Sequence, residues 1–298
     1  MNIGIDLGGH TLIAALVSDE FGGSPPRIVR KVSEGTPPGR SVSRVMDAMA
    51  DVIARLSEGV DVAAVGVAIP GMIDASRRHS LKLPNFPLEW DDLDVSEALG
   101  DALRRKGLNL RVRIENDANC YAIGEGSAGE AIGVRDFVTF TMGTGIGCGI
   151  VTGGALLTGS HGMAGEGGHL VVQGSAPCGC GGIGHSETLA AADGTSARAA
   201  AKGLPADFGE LWALRGAFEA DEVIETTLDA MARTIASTCH LLDPAMVIIG
   251  GGMSKAPGIG EALRERAVPY LSRPFKKTLD LRISKLGNEA ALYGAASI

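Results

Sequence analysis

Ile3-Gly4-Ile5-Asp6-Leu7-Gly8-Gly9-His10-Thr11-Leu12 opens the chain as a short apolar strand over Ile3–Asp6, a Gly-Gly turn, and a second strand over Leu12–Val17. A strand, a glycine turn and a returning strand read as a β-hairpin. Its turn can set backbone N–H groups and hydroxyls around phosphate oxygens, with Asp6 near a bound Mg²⁺. Taken alone, an ordinary hairpin turn is the commoner meaning of such a stretch. The device returns in the second half, however. Phe137–Met142 is a strand, Gly143-Thr144-Gly145-Ile146-Gly147-Cys148-Gly149 the turn, and Ile150-Val151 the start of the returning strand. Two such hairpins, one opening each half, imply an internally duplicated α/β fold with nucleotide between the halves. A third glycine turn, Gly250-Gly251-Gly252-Met253-Ser254, follows the buried strand Met246–Ile249. Bare backbone of that kind lets a flat ring such as adenine lie against it.

Between the hairpins the pattern alternates strand and helix. Val42, Val45, Met46, Met49, Ile53 and Leu56 fall at helical spacing and form a core stripe. Val62–Ile69 is a nearly continuous apolar run that reads as a buried parallel strand. Pro70-Gly71 turns at its carboxyl end, where ligands of open α/β sheets collect. Leu83-Pro84-Asn85-Phe86-Pro87 is a proline-braced loop able to present the Asn85 amide, while Trp90 reads as a packing residue. Val95–Lys106 reads as a helix and Val112–Ile114 as a strand running into Glu115-Asn116-Asp117-Ala118-Asn119, with helix again over Cys120–Gly126. Asp117 at that junction suits a helix N-cap and a general base equally. Val223, Leu228, Met231 and Ile235 mark a further amphipathic helix, stopped by Asp243-Pro244. Asn288–Ala296 is small and apolar, a helix expected to pack on the first domain.

Glu166-Gly167-Gly168-His169, then Cys178-Gly179-Cys180, then His185-Ser186-Glu187 bring four soft or borderline metal donors within seventeen residues. His169, Cys178, Cys180 and His185 have the character of a closed structural zinc site. Glycines at 179, 181, 182 and 184 supply the positive-φ freedom of a tight chelating loop. Buried free cysteines beside unrelated histidines, or a redox Cys-x-Cys pair, are the other readings. Glu166, three residues before His169, shares its face if the segment is helical, so a metal that fixes His169 also fixes Glu166.

Composition narrows the function classes. The 298 residues suit two domains or one large one. Hydrophobic residues make up 45% but aromatics only 4%, so the core is aliphatic. The 43 glycines are about twice the usual share of about 7%, and they gather at the turns just described. A net charge of −8 with no basic block argues against nucleic acid. The start Met1-Asn2-Ile3-Gly4 lacks the features of a secretory signal. The uncharged run Phe137–Gly165 is long enough to span a membrane, but its seven glycines and five threonines between 137 and 159 make it a hairpin with a loop. The five cysteines suit thiols or metal in a cytoplasmic protein.

The three glycine turns at strand ends, the Asp after a strand and the Glu-x-Gly-His…Cys-x-Cys-Gly-x-x-Gly loop together resemble the ROK family of bacterial sugar kinases and repressors. The resemblance spans nearly the whole chain. It implies the two-domain actin-like ATPase (ribonuclease H-like) fold of the hexokinase superfamily, with nucleotide and sugar in the interdomain cleft and closure on the sugar. The domains would be 1–117 plus 287–298, and 118–286. Asp117 would take the proton from the sugar 6-hydroxyl, whose oxygen then displaces ADP from the γ-phosphate. Gly71, Asn85, Asn116, Asp117, Glu166, His169 and Glu187 would hold the sugar. Asp6, Gly8, Gly9, His10 and Thr11, with Gly143, Thr144, Gly145 and Gly147, would hold the phosphates and Mg²⁺, and Gly251 and Gly252 would face adenosine. The implied ligands are ATP, Mg²⁺, structural Zn²⁺ and a sugar, in a cytoplasmic homodimer that binds neither nucleic acid nor membrane.

Two residues depart from the family pattern. His10-Thr11 stands where the family has Thr-Lys, and His185 stands where it has the third cysteine of the metal loop. A glucokinase-like enzyme is the leading expectation. Kinases of N-acetylmannosamine, N-acetylglucosamine, fructose or allose share the motifs. A ROK repressor would need a helix-turn-helix before the first hairpin, where the first strand leaves no room. A sugar-binding relative with weak catalysis, suggested by His10, and a redox protein using Cys178 and Cys180 complete the alternatives.

Overall fold

The computed structural model describes residues 1–18 and 25–298. The chain divides into two compact units: Met1–Gly133 with Leu156–Ala164 and Asn288–Ile298, and Val134–Ala155 with Gly165–Gly287.

In the first unit, β1 (Asn2–Leu7) and β2 (Thr11–Val17) form the expected antiparallel hairpin, and β3 (Ile28–Gly35) extends it. Helix α1 (Val42–Ser57) buries Val45, Met46, Met49, Ile53 and Leu56, the stripe read from the sequence. Strand β4 (Ala64–Ile69) lies parallel to β1; Val62 and Ala63 precede it, although the apolar run includes them. Three short strands, β5 (Met72–Ile73), β6 (His79–Lys82) and β7 (Leu93–Asp94), make a small separate sheet. Helix α2 (Val95–Arg105) is capped by Asp94, which accepts from the Glu97 amide. Strand β8 (Arg111–Asn116) is longer than its apolar centre suggests and pairs parallel with β4. Helix α3 (Asp117–Ala128) follows with no intervening loop. The main sheet runs β3-β2-β1-β4-β8.

The second unit opens with β9 (Phe137–Met142) and β10 (Ile146–Thr152), again an antiparallel hairpin, and β11 (Ala155–Leu156). The returning strand therefore starts at Ile146 rather than Ile150, because Gly147 and Gly149 pair in the ladder with Thr141 and Thr139. Helices α4 (Glu187–Ala190), α5 (Ala192–Ala200), α6 (Phe208–Ala213) and α7 (Phe218–Leu242) lead to β12 (Met246–Gly250), parallel to β9. Asp243 ends α7 in the left-handed conformation. Helices α8 (Ile259–Ala267) and α9 (Phe275–Thr278) and strand β13 (Leu281–Ile283) finish the unit. Its sheet runs β11-β10-β9-β12-β13. In both sheets a hairpin is followed by parallel strands on the far side of its first strand, so the internal duplication read from the glycine turns is present.

Helix α10 (Glu289–Ala296), with Asn288 as its N-cap residue, belongs to the first unit. Residues Ala290 to Ala296 are all buried, as a helix apolar all round must be. It packs on α3, β1 and β4. A Cβ on Gly66 of β4 would run into the Ala295 carbonyl, and one on Gly294 into the Cys120 carbonyl. Bare glycine backbone is what brings the helix down onto the sheet. That packing also keeps α3 in the first unit. No described helix is long and apolar enough to cross a membrane.

Candidate functional site

Parallel pairing aligns the carboxyl ends of β1, β4 and β8: Asp6 stands opposite Ala68, and Ile69 opposite Asn116. Asp6, Gly71 and Asp117 thus emerge from one edge of one sheet. Asn116, not Asp117, caps α3: its side-chain oxygen accepts from the Asn119 amide at 3.1 Å, and its Nδ2 donates to the Gly71 carbonyl at 2.9 Å. Asp117 is then the first helical residue, with Oδ1 accepting from the Ala118 amide at 2.8 Å. Its carboxylate sits at the positive end of the helix, where a negative charge is stabilised. Beneath it Glu115, 1% exposed, accepts from the Asn116 amide and from Asn119 Nδ2, and pairs with Arg77 at 3.1 Å. Asp6 keeps some contact with solvent but is packed among enough protein to push its carboxyl up to about 7, by burial first and the Asp117 carboxylate second. Two carboxylates crowded in this way favour a shared proton or a bound cation.

The β1–β2 turn is closed by the Gly8 amide on the Thr11 carbonyl at 2.8 Å. Thr36 anchors it from the end of β3, its hydroxyl on the Gly8 carbonyl at 2.7 Å and its amide on the His10 carbonyl at 3.0 Å. His10 and Thr11 are exposed. The turn borders the Asn85 loop: a Cβ on Gly9 would lie 3.8 Å from that of Asn85. Gly71, at φ 88°, has Pro84 and the Lys82 carbonyl against it, so no side chain fits there. Trp90 is fully buried, as its packing reading expects, and its indole N–H donates to the Arg40 carbonyl at 2.8 Å. Gly71, Asn85, Asn116, Asp117, Asp6 and the first glycine turn are therefore neighbours within the first unit.

In the second unit the turns at the ends of β9 and β12 lie side by side. Gly251, at φ 85°, abuts the backbone of Met142, while Gly143 and Gly252 have open space where a side chain would stand. The Gly143 amide donates to the Gly145 carbonyl at 3.0 Å, and Thr144 is exposed. Glu187, the first residue of α4, reaches back to this turn, with Oε2 accepting from the Ile146 amide at 3.0 Å.

The metal-type loop is a small antiparallel structure. Val171 bridges to His185 and Pro177 to Ile183, and the Cys178 amide donates to the Gly182 carbonyl at 2.8 Å. Only Gly181 and Gly184 of its four glycines take positive φ; Gly182 is required instead because a Cβ would strike the His185 ring. One donor atom from each of His169, Cys178, Cys180 and His185 lies within 4.8 Å of all the others. Cys180 Sγ stands 3.2 Å from His185 Nδ1, and Cys178 Sγ 4.0 Å from His169 Nδ1. Gly167–His169 is a single 3-10 turn, and it does place Glu166 beside His169, Oε2 at 3.5 Å from Nε2. A histidine whose second nitrogen faces a carboxylate is the usual arrangement of a metal ligand. The donor set fits zinc, and without a cation burial raises the Cys178 thiol, Cys180 and Glu187 adding repulsion. Partial desolvation raises the Glu166 carboxyl, with His169 opposing and Glu187 adding; its side chain is 44% exposed, so solvent screens the effect.

Sequence reasoning missed Arg40, Arg77 and the anchoring role of Thr36. Arg40 ends Pro37-Pro38-Gly39-Arg40, a turn signal, but nothing local reports where its side chain goes.

Comparison with known proteins agrees with this geometry. The sequence pattern that defines the ROK family matches residues 2–298. A glucokinase of Thermotoga maritima is 34% identical over 99% of this chain and 96% of its own length. An N-acetylmannosamine kinase of Shigella boydii is 32% identical over 99% and 96%. The crystal structure of a ROK family glucokinase from Streptomyces griseus in complex with glucose and AMPPNP superposes with a TM-score of 0.81 at 30% identity, covering 99% of this chain and 98% of that one.

Proposed function

This chain belongs to the ROK family, and from that premise we propose that it is an ATP-dependent kinase of a hexose 6-hydroxyl, glucokinase-like, with the actin-like ATPase fold. The observation that carries the reading is the edge of the first unit's sheet. There Asp117 stands on the first turn of a helix, with Asp6 and a glycine turn on one side and Gly71, Asn116 and the Asn85 loop on the other. Phosphoryl transfer asks little covalent chemistry of a protein; it needs a positioned nucleophile and neutralised phosphate charge. Asp117 accepts the proton of the attacking hydroxyl. Asn85 and Asn116, with Glu166, His169 and Glu187, orient the sugar, carboxylates each accepting from two hydroxyls. Gly8 to Thr11 and Gly143 to Gly147 hold the phosphates, and Gly251 with Gly252 leaves room for adenosine. Mg²⁺ supplies charge neutralisation on the phosphates, and the raised Asp6 carboxyl beside Asp117 is the group fitted to hold it. Zn²⁺ at His169, Cys178, Cys180 and His185 is structural, fixing His169 and through it Glu166.

The N-acetylmannosamine kinase relative supports a second substrate reading, an N-acetylhexosamine. A cytoplasmic homodimer remains the proposed setting, and sedimentation tests the dimer. The deciding experiment is ADP release from Mg-ATP against a panel of hexoses and N-acetylhexosamines, with Asp117→Asn alongside. One sugar should give turnover, and the variant should fall by at least about a hundredfold with unchanged circular dichroism. Undiminished turnover in Asp117→Asn would remove it as the base.

A further inference from the structure

Arg40 occupies a position the reading above does not use. Its backbone is left-handed, φ 51°, a conformation that costs an L-residue energy and persists only where the surroundings fix it. They do: its amide donates to the Pro37 carbonyl at 3.0 Å, and its carbonyl accepts from the buried Trp90 indole at 2.8 Å. Held there, the guanidinium forks. Nε donates to the Gly9 carbonyl at 2.6 Å, and Nη1 donates to the Asn85 carbonyl at 2.7 Å. These are short, charge-assisted bonds. Gly9 lies in the phosphate-type turn, and Asn85, itself left-handed at φ 64°, is the tip of the sugar-type loop. Among the described residues the guanidinium pairs with no carboxylate, so its charge is spent on these two carbonyls.

We propose that Arg40 is a positioning residue that couples the two ligands: by tying the Gly9 turn to the Asn85 loop, it lets a bound nucleoside triphosphate order the sugar loop, and a bound hexose order the phosphate turn. The inference rests on the proposed roles of those two segments. A ligand that has already ordered its own segment relieves the second ligand of part of the ordering entropy. The effect is reciprocal, the same factor whichever ligand binds first.

Two variants isolate the fork. Arg40→Gly removes it while suiting the left-handed backbone, so the fold is retained. Arg40→Lys keeps the charge but lacks the planar fork that spans both carbonyls. Calorimetric titration gives the affinity for the hexose the wild type turns over, with and without Mg·AMPPNP, and the affinity for Mg·AMPPNP with and without that hexose. In the wild type each ligand should tighten the other, by about fivefold or more. In both variants that factor should collapse toward 1, while each ligand alone changes by less than about threefold and the melting temperature holds. A purely structural role would lower melting temperature or single-ligand affinity and leave the factor intact, which would overturn the proposal. Retained coupling in Arg40→Lys would also overturn it, because charge rather than the fork would be responsible. A wild type with no coupling overturns it directly. A wild type that turns over no sugar refutes the kinase reading itself, and the inference falls with it.

Discussion

Replacing Asp6 with Asn tests the electrostatics of the sheet edge without touching substrate. The Asp6 carboxyl moves from an ordinary 3.8 in the unfolded chain to about 7 in the folded protein. Between those values the unfolded chain has released the proton and the folded protein still holds it. Stability therefore falls as pH rises, by about 1.4 kcal/mol per pH unit. Over about three units the penalty reaches about 4 kcal/mol at most, less whatever the remaining solvent contact screens. Below the unfolded value both states are protonated, and above about 7 both are ionised, so the profile is flat at either end. Asn cannot ionise. Urea midpoints of wild type and Asp6→Asn in magnesium-free buffer from pH 5 to 8 should therefore diverge, the variant gaining on the wild type up to about pH 7 and then running parallel. Subtracting one profile from the other cancels every unrelated group and leaves the titration of the Asp6–Asp117 pair. A flat difference across the range would refute the buried-carboxylate account. It would also remove the physical reason for placing a cation at Asp6.

Chelation under reductant should release one equivalent of zinc and lower the melting temperature. A site held at a thousandfold excess over Kd contributes about 4 kcal/mol, and metal analysis with differential scanning fluorimetry reads both effects; no bound zinc in protein purified under reductant would dismiss the site. Gly294→Ala should cost about 1–3 kcal/mol by overpacking against the Cys120 carbonyl, seen as a lower urea midpoint. An unchanged midpoint would mean that the α10–α3 packing is looser than the structure has it.

What the sequence carried, it carried through local chemistry. The hairpins were readable because a glycine turn between apolar strands has few other meanings, and the α1 stripe because its spacing is helical. The second turn was drawn too long for the same reason that the first was found. Gly147 and Gly149 look like turn residues, yet they lie in a paired strand. The glycines of the next segment are packing devices too: a Cβ on Gly167 would strike Phe140 and Cys148, and one on Gly168 the Ile146 carbonyl. Glycine reports that backbone must come close, not which backbone. Asp117 was undecidable from its position because Asn116 and Asp117 can both cap a helix; Asn116 takes the cap only because β8 continues through it and its amide reaches Gly71 across the sheet. The Arg40 fork lay further from reach. It joins residues 31 and 45 positions away, and its aim is set by Trp90 holding a left-handed backbone in place. Short motifs thus expose the groups that meet ligand, whereas the side chains that hold those groups in register come from distant parts of the chain, and for them the fold is the only record.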